Sequence, residues 1–151
     1  MTQPEPRDRQ QRIRDTLAKL TAPAADVFVA TAGDDGPYLV PLSLAWVDER
    51  VVIALDGTSR TARNLDAGRV ARLALGPTRD VVVIDAALER SVPVTEAGAL
   101  GDRYAEQADW DPRTAGDAYR FLVLRPERIQ AWREADEIPG RTLMRAGTWL
   151  S

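Results

Sequence analysis

Three strand-like segments separated by two tight turns, between residues 26 and 55, limit the possible folds of this chain more than any other feature. The segments are residues 27–31, 38–46 and 51–55, in which apolar side chains predominate and many are β-branched or aromatic. Hairpin turns are indicated between them by Gly33-Asp34-Asp35-Gly36 and by Asp48-Glu49. This region therefore predicts an antiparallel meander.

The second strand of the meander has one predicted core-facing side. Side chains at alternate positions of a strand point to the same face. Here one such set is entirely apolar, namely Tyr38, Val40, Leu42, Leu44 and Trp46. Pro41 points the other way and has no N–H to donate to a neighbouring strand. It therefore indicates a sheet edge or a barrel rim.

The remaining patterns predict further strands and helices in an order that favours a barrel. Helices are expected over residues 7–20, 58–68 and 95–108, and strands over 70–75, 81–94, 119–124 and 128–132. Residues 1–10 are expected to be a flexible N-terminus and residues 137–151 a polar C-terminal tail. Because few helices separate the strands, we expect a mainly β protein, a small antiparallel barrel in a single domain of residues 1–151, and not a doubly wound parallel sheet.

Composition excludes several kinds of site. The chain has no cysteine and no histidine, which removes thiol nucleophiles, imidazole bases and almost every transition-metal site, so no metal is expected. The net charge of −3 offers no global positive field for nucleic acid. No stretch approaches the roughly 20 apolar residues of a membrane helix. We therefore expect a cytoplasmic protein, with neither nucleic acid nor membrane as a partner, whose chemistry depends on a cofactor.

Two arginines at the start of a predicted helix are the strongest indication of a ligand. Arg60 and Arg63 lie three positions apart and share a helix face near an end that already carries partial positive charge. Together with the hydroxyls of Ser59 and Thr61 and with free backbone N–H groups, they predict a cradle for one phosphate. The alternative is a solvated helix whose arginines pair with Asp56 or Asp66.

The order of these segments resembles that of a known family. After a short N-terminal helix come the strand with Val40–Trp46, then Thr58–Leu65 and then Val70–Leu75. This arrangement is similar to the pyridoxamine 5′-phosphate oxidase-like flavin and deazaflavin oxidoreductases. The resemblance implies a split antiparallel β-barrel of the FMN-binding, Greek-key type, forming a homodimer with its cofactor at the subunit interface. The segment Ala131–Arg145 is similar to a small actinobacterial-type subgroup.

The resemblance also implies which residues contact the cofactor. Leu42, Ser43 and Leu44 would lie along the flavin ring, although leucines in such a strand most often belong to the core. The phosphate would be held at the helix start by Thr58, Ser59, Arg60, Thr61, Arg63 and Asn64. Trp132 would stack on the flavin or on a planar substrate, with packing at the subunit interface as its alternative.

The cofactor implied by the resemblance is FMN, with the deazaflavin coenzyme F420 as the alternative. A flavin would supply the redox chemistry for which this chain has no side chains of its own. We therefore expect an oxidoreductase with a small-molecule substrate, although neither the catalytic residue nor the substrate follows from the sequence. The alternatives are a non-catalytic flavin-binding or storage protein, and a barrel that has lost its cofactor and acts through protein contacts.

Three arginines of the C-terminal segment, Arg133, Arg141 and Arg145, are candidates for lining a channel for the acidic tail that the deazaflavin carries beyond its phosphodiester. FMN ends at its phosphate and needs none of them. For Arg133 and Arg141 the alternative is ion pairing with Glu134 or Glu137.

Overall fold

In the computed structural model, which describes residues 4–151, an antiparallel sheet of eight strands is accompanied by three α-helices. The strands are β1 (Asp26–Gly33), β2 (Gly36–Val47), β3 (Arg50–Asp56), β4 (Val70–Leu75), β5 (Val81–Pro93), β6 (Tyr119–Trp132), β7 (Thr142–Arg145) and β8 (Thr148–Trp149). The helices are α1 (Arg9–Thr21), α2 (Arg60–Gly68) and α3 (Ala99–Ala108). None of these helices is long and apolar enough to span a membrane.

Six of the strands close into a barrel. Their order is β3-β2-β1-β4-β5-β6, and β3 pairs back onto β6 along Val51–Asp56. Each of these pairings is antiparallel. The predicted mainly β antiparallel barrel is therefore confirmed, and the predicted meander corresponds to β1, β2 and β3.

The predicted break in the last barrel strand is wrong. Residues 119–124 and 128–132 belong to the single strand β6, which pairs with β5 along most of its length. Pro126 lies where the register of this pairing shifts, between Asp85 and Ala86. A proline cannot donate to a ladder, and an irregularity of this kind is where a sheet tolerates one. The helix expected from residue 95 is also shorter, because α3 begins at Ala99 after a 3₁₀ turn.

Two hydrophobic clusters pack on opposite faces of β2, β3 and β6. Inside the barrel the cluster includes Leu44 and Leu122, and outside it α3 covers a second cluster that includes Tyr104 and Phe121. Residues Val51–Leu55 of β3 are consequently buried on both faces. This double burial explains why β3 is apolar throughout, where a strand with one solvated face would alternate.

The C-terminal residues expected to be a tail are part of the sheet instead. β7 pairs with β6 and β8 pairs with β7, and Leu143 and Met144 are buried. The buried carboxylate of Glu137 accepts hydrogen bonds from Nε and Nη2 of Arg7 and from the main-chain N–H groups of Arg7 and Arg133. Charge pairing thus joins the two terminal segments of the chain.

The N-terminus expected to be flexible spans residues 1–10, of which residues 1–3 lie outside the described residues. α1 begins at Arg9 and is capped by Asp8, whose carboxylate accepts the main-chain N–H of Gln11 at 2.8 Å. Arg12 is buried and donates to the carbonyl groups of Ala131 and Glu137. The start of α1 is therefore attached to the end of β6 through backbone acceptors that the helical pattern did not reveal.

Candidate functional site

Strand β2 lacks a partner on one side along more than half of its length. It pairs with β1 along Gly36–Ser43, but with β3 only along Leu44–Val47 among the described strands. Pro41 lies in the unpaired stretch, as expected for a residue that has no N–H to donate. The first turn of α2 lies beside this stretch, because Cζ of Arg60 is 4.6 Å from the ring centre of Tyr38. We call the surface between the unpaired edge of β2 and the start of α2 the α2 groove.

The start of α2 provides four groups that suit an anion. Ser59 caps the helix, since its Oγ accepts a main-chain N–H of the first turn at 3.3 Å. The N–H groups of Arg60 and Thr61 have no hydrogen-bond partner within residues 4–151. The Arg63 side chain is exposed, and Arg60 lies 3.8 Å from the well-exposed carboxylate of Asp35. Two guanidinium groups and two N–H groups at the positive end of a helix fit one phosphate group.

The predicted hydroxyl ligands of the phosphate have other roles in the structure. Thr58 donates both its N–H and its hydroxyl to Oδ1 of Asp56, at 2.8 and 2.7 Å. These bonds lower the pKa of Asp56, so its carboxylate stays ionised. The Thr58 hydroxyl donates its proton to this carboxylate, and in that position it cannot donate the same proton to a phosphate group. Thr61 is 2% exposed, whereas Ser59 accepts the capping bond through its oxygen and can still donate its hydroxyl proton. Arg60, Arg63 and Ser59 are therefore the side chains that remain available to a phosphate, and their role stays a prediction.

Asn64, the last predicted phosphate ligand, attaches α2 to the barrel. Its Nδ2 donates to Oγ1 of Thr31 on β1 at 3.1 Å. A Cβ atom at Gly33 would lie 2.3 Å from the side-chain oxygen of Asn64, so the close approach depends on glycine at that position. Asn64 thus fixes where α2, and with it the two arginines, lies against β1.

We expect Gly33→Ala to lower the free energy of unfolding by about 1–2 kcal/mol, because the added methyl group would displace Asn64 from Thr31. Gly68→Ala is the matched control, since nothing lies within 4 Å of a Cβ added there and alanine favours a helix. Urea unfolding of the two variants measures the difference. Equal stabilities would contradict the role given to Asn64.

Two side chains of α3 that sequence reasoning missed hold the second half of β2. The Tyr104 hydroxyl donates to the carbonyl oxygen of Ser43 at 3.2 Å, and the Gln107 amide oxygen accepts the N–H of Trp46 at 2.8 Å. Burial raises the pKa of Tyr104 to about 12, so its hydroxyl remains a donor at neutral pH. The only sequence signal was a tyrosine and a glutamine three positions apart on one helix face. These bonds place Ser43 at the end of the unpaired stretch of β2.

The two leucines beside Ser43 differ in what they can contact. Leu42 is partly buried and packs against the core from inside the barrel. Leu44 is fully buried, and its N–H donates to the carbonyl group of Ala25 at 3.0 Å. The Leu44 side chain therefore belongs to the core and its N–H is already bonded, while a contact between Leu44 and a cofactor stays a prediction.

Trp132 is the last residue of β6, and its ring lies beneath Arg141, whose Cζ is 5.3 Å from the ring centre. The strand registers place it level with Asp26 of β1, which pairs with Ser43 of β2. That Trp132 stacks on a cofactor or on a planar substrate stays a prediction.

The C-terminal arginines have different environments. Arg133 lies 3.4 Å from the Glu137 carboxylate and donates to the Glu5 carbonyl group at 2.9 Å, so the ion-pair alternative holds for it. Arg141 and Arg145 form no ion pair with residues 4–151 and line a cleft beside β6 and β7.

Similarity to known proteins is found in three-dimensional structure. No protein-family model and no curated protein matches the sequence. The chain is similar to an F420 reductase, with a TM-score of 0.62, 18% identity and coverage of 74% of this chain and 94% of the reductase. It is similar to a FAD-binding protein from Mesorhizobium loti, with a TM-score of 0.62, 18% identity and coverage of 78% and 89%. A third structure is HutZ, the heme storage protein from Vibrio cholerae, with a TM-score of 0.60, 15% identity and coverage of 83% and 95%.

Proposed function

The chain has the split β-barrel fold, and we propose that it is a cytoplasmic flavin-dependent oxidoreductase that binds FMN in the α2 groove at the interface of a homodimer. The observation that carries the proposal is the pair Arg60 and Arg63, with two N–H groups that have no partner among the described residues, beside an unpaired stretch of β2. These groups would bind the phosphate, and the unpaired edge near Ser43 offers backbone groups to the ring. Bound flavin supplies hydride chemistry, while the chain binds and orients it.

The coenzyme F420 is the second candidate, supported by the fold shared with an F420 reductase. Because both coenzymes carry a phosphate, the α2 groove alone does not separate them. Haem, the ligand of the similar storage protein HutZ, has less support here, because this chain has no histidine or cysteine to act as an axial ligand. A non-catalytic flavin-binding or storage protein is the alternative, because no described residue that borders the groove must act as a proton donor.

The test is an absorbance spectrum of the purified chain, followed by titration with FMN, FAD and F420. We expect a flavin spectrum or tight FMN binding, and then turnover when an electron donor and an acceptor are supplied. Binding without turnover would support the storage protein, and preference for F420 would replace FMN as the cofactor. A colourless protein that binds none of these coenzymes would refute the proposed function.

We expect the homodimer to use the outer face of the sheet formed by β1, β2 and β4. Three large apolar side chains there are exposed, namely Phe28 (52%), Leu39 (61%) and Val70 (63%), which is unusual for a surface that faces water. Leu39→Glu should therefore convert the dimer to a monomer in light scattering. The matched control is Ile138→Glu, at an exposed isoleucine (44%) outside these strands. A wild-type chain that is monomeric with cofactor bound would contradict the dimer.

A further inference from the structure

A second cleft, remote from the α2 groove, is lined by arginines. It has a volume of about 470 Å³ and lies between the start of α1, the second half of β6, and β7. Its charged side chains are Arg9, Arg128, Arg141 and Arg145, and no aspartate or glutamate side chain of residues 4–151 lines it. We call it the arginine cleft. In a chain whose net charge is −3, four cations around one cavity form a local positive field of the opposite sign.

The four arginines are not neutralised by acidic side chains. None of them forms an ion pair with a carboxylate side chain in residues 4–151, whereas the nearby Arg7 and Arg133 both bind Glu137. Nε of Arg9 is buried and has no hydrogen-bond partner within the same residues. Placing like charges around one cavity is unfavourable unless an anion enters it. The cleft therefore has charge that no carboxylate side chain of residues 4–151 balances, and one buried donor, Nε of Arg9, without a partner among them.

Neighbouring groups hold three of the guanidinium groups in place. The Gln130 amide oxygen accepts from Nη2 of Arg128 at 2.9 Å and from Nε of Arg141 at 3.3 Å. This orientation of the amide is assigned because the opposite one would set its NH₂ group against two donors. Arg141 also stacks on Trp132, and Arg9 donates to the main-chain oxygen of Ser151. Such fixed donors lose less conformational freedom on binding than free surface arginines do.

We propose that the arginine cleft binds a small anion that carries two or more carboxylate or phosphate groups. Guanidinium forks bind both kinds of oxyanion in a bidentate manner. One singly charged group would leave most of the four arginines without a counter-ion, which is why the proposal requires multiple charges. Within one chain the site is separate from the α2 groove, since no residue of α2 or β2 lines the arginine cleft.

The test uses the full chain, with pyrophosphate and citrate as probes in isothermal titration calorimetry. The test variant is Arg128→Gln/Arg145→Gln, and the matched control is Arg14→Gln/Arg90→Gln, which removes two exposed arginines outside the cleft and gives the same net charge. We expect the test variant to bind at least about tenfold more weakly and the control to stay within about twofold of wild type. Thermal melts with and without probe check folding, and Arg145→Gln alone repeats the test at an exposed residue.

Each other possible result either supports or overturns the proposal. A stronger response to pyrophosphate or to citrate supports the site and assigns its ligand to phosphates or to carboxylates. Equal weakening in the control variant, or no binding of either probe at about 10 mM, would overturn it. Competition by FMN would place the anion in the α2 groove and also overturn it, as would affinity that grows with the length of an RNA oligonucleotide.

Discussion

The variant Arg60→Ala/Arg63→Ala is expected to bind FMN at least about a hundredfold more weakly than the wild-type chain. A charge-assisted hydrogen bond contributes roughly 1.5–3 kcal/mol, and about 1.4 kcal/mol corresponds to a tenfold change in Kd. Each arginine alone should therefore account for a tenfold to hundredfold loss. Fluorescence titration of FMN measures the effect.

The fold should survive these two substitutions. Arg63 is exposed, and the only contacts of the Arg60 side chain shown among residues 4–151 are the Tyr38 ring and the exposed Asp35 carboxylate. Circular dichroism should therefore be unchanged. Arg14→Ala/Arg125→Ala, at exposed positions outside the α2 groove, removes the same charge and should leave Kd within about twofold. If FMN binds and its Kd is the same in both double variants, the arginines of α2 belong to a solvated surface.

Glu137→Gln is expected to lower the free energy of unfolding by about 3 kcal/mol. The carboxylate is 1% exposed and accepts bonds from three nitrogens of Arg7 and from the N–H of Arg133. An amide would turn its NH₂ group toward these donors and remove the most buried of the three carboxylates that pair with Arg7, leaving Asp15 and Asp80. Breaking a buried ion pair typically costs about 3–5 kcal/mol, and the two remaining partners place the expected loss at the lower end of that range. Urea unfolding measures the loss. Glu134→Gln is the control, because that glutamate pairs with the exposed Arg79 and should cost less than about 1 kcal/mol.

The same carboxylate predicts how stability depends on pH. Burial alone would raise the pKa of Glu137, but the bonds from Arg7 and from the Arg133 N–H outweigh it and lower the pKa to about 2. A lowered pKa means that the stabilisation is fully present above the ordinary glutamate value of about 4.3 and is lost as pH falls toward 2. Wild type should therefore lose stability between these pH values more steeply than Glu137→Gln. Parallel pH profiles would contradict the assignment.

The strands and the start of α2 could be predicted from the sequence because their signals are local. Alternating apolar residues and the turns at Gly33–Gly36 and Asp48-Glu49 define β1, β2 and β3 within about thirty residues. Ser59 marks the helix start that places Arg60 and Arg63 at its positive end. The antiparallel barrel followed from the small number of helices between strands. Each of these inferences depends on neighbours a few positions apart.

Only the tertiary structure decided which hydrogen-bond and ion-pair partners the polar side chains have, because those partners are distant in sequence. Arg7 and Glu137 are separated by 130 positions, and a polar segment has the same composition whether its charges are solvated or buried in pairs. Asn64 suits a phosphate by residue type, yet it donates to Thr31, which lies 33 positions earlier in the chain. The arginine cleft likewise exists only because α1, β6 and β7 meet. The spacing of apolar residues along the sequence indicates which side chains are buried. Hydrogen bonds and ion pairs depend instead on directions and distances between atoms that only the folded chain sets.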